Sequence, residues 1–183
     1  MTDIANRDRE PLRVLWEGID VAMASLRAQH PVSILDLTPQ DGFALDLALR
    51  LRTLPRKVHI ISYAWREMKQ RERGLGLPPI LIEKGSLPGL HYSKASFDMV
   101  IGVGVLSALK PHERVHALTE IRRTALRHVI LAERLPNGSD EAAISEGDLI
   151  DALTQSGNRD ALVMANRELV RVWIDLGVLA KAA

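Results

Sequence analysis

Residues 93–135, SKASFDMVIGVGVLSALKPHERVHALTEIRRTALRHVILAERL, hold the pattern that decides the fold. The run FDMVIGVGVL (97–106) is apolar on both alternating faces, which predicts a strand covered from both sides of a sheet. Pro111 then suits the first position of a helix, where its missing N–H costs nothing. Val115, Leu118, Ile121 and Leu126 follow at helical spacing and predict a helix over 111–126. HVILAERL (128–135) predicts a second buried strand. A strand, a helix and a strand in succession form a crossover between parallel neighbours.

The same alternation continues on the amino-terminal side. Leu12, Leu15, Trp16, Ile19, Met23 and Leu26 give residues 8–29 one apolar helical face, closed by His30-Pro31, with Trp16 read as core. Strands are expected at 32–37, 57–64 and 79–85, with helices at 42–52 and 65–76 between them. Leu45, Ala48, Leu49 and Leu51 mark the inner face of the first of these helices. Beyond residue 135, a helix is expected over 139–157, with Ser139 as its cap and Gly157 at its end. The pattern of 161–176 fits either a closing strand pair or one helix. The expected class is α/β, a mainly parallel central sheet with helices on both faces. Ligands of such sheets bind beyond the carboxyl ends of the strands, where strand order reverses. Residues 1–183 read as one unit: a helical segment (1–30), an α/β core (31–135) and closing elements (136–183).

Composition narrows the function classes. Lys and Arg number 24 against 23 Asp and Glu, so nothing in the charge calls for nucleic acid. The absence of cysteine excludes disulfides and thiolate chemistry. No apolar run approaches the ~18 residues of a membrane span. The polar start MTDIANRDRE has no signal-peptide core, and the expected location is cytoplasmic.

Residues 32–135 resemble the class I S-adenosylmethionine-dependent methyltransferases, a Rossmann-like family. Phe97-Asp98 stands where that family opens its fourth strand, and ILDL (34–37) with Gly42 is similar to its first motif. The resemblance implies S-adenosylmethionine as cofactor and a site built from Asp36, Thr38, Gln40, Gly42, Ser62, Tyr63 and Ser86, without a metal. The departures from the family fall at the cofactor. Thr38 and Gln40 stand where the first two glycines belong, and side chains there would enter the space of the methionine moiety. Pro39 restricts the loop further. Ser62 replaces the acid that takes the ribose hydroxyls, and Ser86 falls near the Asp that holds the adenine amino group. Losing two charge-assisted contacts of ~1.5–3 kcal/mol each weakens binding by two or more orders of magnitude. Asp36, Gly42, Tyr63 and Trp65 remain as usable pieces, the aromatics suited to stacking on a base.

Other signals have plainer readings. His112, Glu113 and His116 spell the His-Glu-x-x-His pattern of zinc hydrolases, but Pro111 places them on a first helical turn among charges. Glu133 and Glu141 are the nearby acids, at no convincing spacing. A solvated helix start is the expected role. The glycines of GVGV (102–105) let the end of a strand pass close to a neighbour, and REMKQRER (66–73) reads as a solvated face. Arg122 and Arg123 suit a helix carboxyl terminus. Glu133 is expected to be solvent-exposed, and Ser107 with His91 lacks the turn of a nucleophile elbow.

Two functions stand on this reading. The preferred one is a non-catalytic methyltransferase fold serving as a binding or assembly subunit, a pseudoenzyme with a protein partner or a second copy of itself. The other is an active, divergent methyltransferase that holds its cofactor through Asp36, Gly42, Ser62 and Ser86. Methyl transfer rests on proximity and orientation, so a missing general base does not exclude it.

Overall fold

The computed structural model describes residues 9–26, 32–38, 58–62, 80–82, 87–136, 143–165 and 169–176. In chain order these form α1 (Arg9–Ser25), β1 (Val32–Asp36), β2 (Val58–Ser62), β3 (Ile80–Ile82), β4 (Phe97–Val103) and α2 (Pro111–Thr124). There follow β5 (Ala125–Arg134), α3 (Glu146–Gln155), β6 (Leu162–Ala165) and β7 (Leu169–Asp175). The strands form one seven-stranded sheet in the order β3-β2-β1-β4-β5-β7-β6. β1 to β5 pair in parallel, and β7 lies antiparallel between β5 and β6. The order reverses between β1 and β4, which makes that boundary the switch point of the sheet.

Alternation along β5 explains how both faces are covered. Val129 and Leu131 belong to a buried cluster with Leu118 and Ile121 of α2 and Leu149 and Leu153 of α3. His128 points the other way and meets Ser25 at the end of α1. Leu15, Ile19, Ala22 and Met23 are buried along α1, the stripe expected from the sequence, while Trp16 is only half-buried. Each fully buried Leu or Ile contributes about 1.5–3 kcal/mol, so the faces hold without any polar pairing. At the amino ends, the Ser33 amide and hydroxyl both donate to Asp98 Oδ2, at 2.9 and 3.0 Å, fixing β1 on β4.

Several boundaries differ from the sequence reading. The fourth strand ends at Val103, and 104–109 turn back rather than extending it. The helix expected to run to residue 126 stops at Thr124, and Leu126 lies exposed on β5. The Thr124 hydroxyl bonds back to the Glu120 and Ile121 carbonyls, which weakens the last turn. The helix expected from Ser139 begins at Glu146, and Ser145 is its cap, accepting from the Asp148 amide at 3.1 Å. The tail is a strand pair. The helices expected at 42–52 and 65–76, with the charged run 66–73, lie outside the described residues.

Candidate functional site

The crevice between the carboxyl ends of β1 and β4 is where a parallel sheet of this order presents a ligand. Two of the expected residues stand at its β1 edge. Asp36, the last residue of β1, is fully buried and accepts from the Thr38 amide at 2.9 Å. Thr38 is also fully buried. Its side chain does not project along the loop: Oγ1 accepts the Val103 amide at 3.2 Å, across the switch point. The last ladder pair is Asp36↔Ile101, followed by Leu37 N–H to the Ile101 carbonyl at 2.9 Å. The threonine hydroxyl thus adds one more rung where the main-chain ladder ends.

On the β4 side the strand leads into a tight turn over residues 104–109. Val105 folds over Gly102, where a Cβ would stand 2.3 Å from Val105 Cγ2, so a larger residue requires the Val105 side chain to shift. Gly104 takes a positive φ of 65° and donates its amide to the Ala132 carbonyl at 2.8 Å. The sequence reading of these glycines as points of close approach holds for Gly102, whose neighbour is the same loop; Gly104 has open space beside it and is required by its positive φ instead.

Glu133 holds that loop. It is fully buried near the end of β5, against the exposed glutamate expected from the sequence. Its carboxylate accepts from the Leu106 amide at 3.0 Å, the Ser107 amide at 3.1 Å and the Ser107 hydroxyl at 2.8 Å. Burial pushes the carboxyl above its ordinary range, and the amides of Leu106, Ser107 and Val105 with the Ser107 hydroxyl pull against that shift. Arg114 adds Nε to the Leu106 carbonyl at 3.1 Å from a buried position on α2. The signal for Glu133 was present in the sequence: it shares the inward parity of Val129 and Leu131.

The other expected positions divide in two groups. Ser62 ends β2 in register with Asp36 on one side and Ile82 on the other, the row in which a ribose contact belongs. Gln40, Gly42, Tyr63, Trp65 and Ser86 lie outside the described residues. The zinc-like pentamer has a structural use. Glu113 Oε2 accepts the Lys110 amide at 3.0 Å and caps α2, while His112 and His116 are exposed. Ser107 gives its hydroxyl to Glu133, and His91 is exposed. Among the described residues no group of three His, Asp or Glu side chains could hold a metal, and no helix is long and apolar enough to cross a membrane.

The sheet order, the antiparallel β7 and the flanking helices define the class I S-adenosylmethionine-dependent methyltransferase fold, and solved structures share it. A methyltransferase from Aquifex aeolicus is 19% identical, covers 90% of this chain and 88% of its own, and superposes with a TM-score of 0.59. Magnesium protoporphyrin IX methyltransferase from Synechocystis, solved with bound S-adenosylmethionine, is 15% identical over 94% of this chain and 83% of its own, with a TM-score of 0.64. The cyclase SpnF is 19% identical over 80% of this chain and 56% of its own, with a TM-score of 0.57. No family model and no curated protein sequence matches the chain. At these identities the likeness is one of fold, and a fold that includes both methyltransferases and a cyclase leaves function to the site.

Proposed function

We propose that this protein is a non-catalytic member of the methyltransferase fold, a binding or assembly subunit that works through a protein partner. The observation that carries this reading is Thr38: fully buried at the first glycine position, with its hydroxyl bonded to the Val103 amide across the switch point. A methionine moiety bound there needs bare backbone at the strand ends. Here the β4 amide is already used, and Thr38 presents no surface to a ligand. The internally bonded loop 104–107 supports the same reading, because opening it breaks the Glu133 contacts of a buried carboxylate. The serines at 62 and 86 add to it, since neither offers the charge-assisted contact that carboxylates give ribose and adenine.

Calorimetric titration with S-adenosylhomocysteine tests the reading. Protein shown to be folded by circular dichroism is expected to give no binding heat up to millimolar ligand. A micromolar Kd would restore the active, divergent methyltransferase; magnesium protoporphyrin IX methyltransferase, similar in fold, is solved with bound S-adenosylhomocysteine.

A further inference from the structure

Arg114 carries a charge to a place where the fold offers it no acid, and this does not depend on the reading above. It lies in the first turns of α2, on the inward stripe with Ala117, Leu118 and Ile121, and is 8% exposed. Arginine is rarely buried this far without a paired acid, because the charge gives up water and gains no partner. Its Nε donates to the Leu106 carbonyl at 3.1 Å, in the turn that follows β4. Among the described residues the guanidinium makes no other hydrogen bond and no ion pair. Nη1 and Nη2 are not sealed from solvent. The stem is therefore buried, and the outer edge of the fork reaches the surface with N–H groups still to donate.

The acids of this region are engaged elsewhere. Glu133 holds the other side of the same turn, accepting the Leu106 and Ser107 amides and the Ser107 hydroxyl. Leu106 is thus held by its N–H on a carboxylate and by its carbonyl on a guanidinium. Glu113 accepts the Lys110 amide as part of the cap of α2. Neither carboxylate pairs with the fork. The bond to Leu106 turns the Arg114 side chain back toward the amino end of α2, the direction long helical side chains prefer. There the helix amides carry partial positive charge, and Lys110 and His112 are exposed.

We propose that Arg114 anchors an oxyanion site at the carboxyl end of β4, taking the terminal carboxylate or phosphate of a small ligand on its open N–H groups. The planar fork matches two oxygens of either group at once, and charge-assisted bonds of this kind are stronger than neutral ones. The narrow opening over the side chain suits a single small anionic group rather than a broad surface. Burial of the stem and the bond to Leu106 hold the fork in place before the ligand arrives, so little side-chain freedom is lost on binding. The site needs neither Asp36 nor Thr38, and it stands whether or not a cofactor enters the crevice.

Titration of the full chain with sodium phosphate and, separately, sodium acetate tests the site, with sodium chloride at matched ionic strength as the control. The readouts are the Arg114 Nε–H signal and the Leu106, Ser107 and His112 amides in ¹H–¹⁵N spectra at mildly acidic pH, where arginine side-chain protons persist. At least one of the two anions is expected to give saturable shifts with a millimolar midpoint, beyond any caused by chloride. The tighter anion names the group, carboxylate or phosphate. Arg114→Gln keeps an N–H for the Leu106 carbonyl and loses the charge, so binding is expected to weaken about tenfold or more. Arg114→Lys keeps the charge and loses the fork, and a several-fold weakening is expected. No saturable shift from either anion beyond the chloride control overturns the site, as does an equal midpoint in the Gln variant. If the Gln variant does not fold, the Lys variant decides, and an equal or tighter midpoint there also overturns it.

Discussion

At Thr38 a single hydroxyl does what a glycine cannot. It satisfies the Val103 amide at the point where β1 and β4 part, from a fully buried position. Removing the oxygen while keeping the shape separates this bond from simple packing. Thr38→Val is expected to lower unfolding free energy by about 1–3 kcal/mol, the cost of a buried amide left without an acceptor. Thr38→Ser, which keeps the acceptor, is expected to lose less, and urea denaturation of the two variants reads the difference. Glu133→Gln turns an NH₂ group toward donors at Leu106 or Ser107 and is expected to cost about 1–3 kcal/mol. It also removes a pH dependence. A carboxyl raised by burial stabilises the fold below its ordinary range, and that contribution is lost as pH rises through its folded value. The variant's stability is expected to be flatter across that window. Which positions depart from the cofactor motif was legible in the sequence. The direction of Thr38 was not, because its rotamer answers to an unpaired amide on a strand 65 residues away.

Among the elements, the ends are held by side chains that periodicity does not show. Arg123, near the end of α2, bonds Glu120 Oε1 and Oε2 at 2.8 and 2.7 Å and the carbonyls of Leu90 and Tyr92 at 2.9 and 2.6 Å. A residue suited to the helix dipole thus also pins the segment leading into β4. Hydrogen bonding to Arg123 holds the Glu120 carboxyl below its ordinary range. Its contribution is therefore present above that range and lost as pH falls through the folded value. Arg123→Ala is expected to remove this acid-side loss, as seen in melting temperature measured against pH. At α3 the cap is Ser145, and Ser145→Ala is expected to cost about 0.5–2 kcal/mol in thermal or urea unfolding. The sequence reading began this helix at Ser139, because the acids at 146 and 148 suit a helix interior as well as a first turn and so did not mark Ser145 as the cap.

At the scale of the molecule, the sheet fixes which residues can meet. The α/β class and the crevice between β1 and β4 were readable from alternating apolar runs, since parallel strands must be buried on both faces. The strand pair β6–β7 was not, because LVMA and LVRVWID carry enough apolar residues for either period. Both assignments lie at the carboxyl ends of the strands: a hydrogen-bonded crevice between β1 and β4, and an open guanidinium beside the turn that follows β4. The most direct test of the closed crevice is a ¹H–¹⁵N spectrum of the protein titrated with S-adenosylhomocysteine to millimolar concentration. The Thr38 and Val103 amide signals are expected to stay in place throughout. Saturable shifts of both, with a micromolar midpoint, would contradict the closed crevice and make the protein a cofactor-binding methyltransferase.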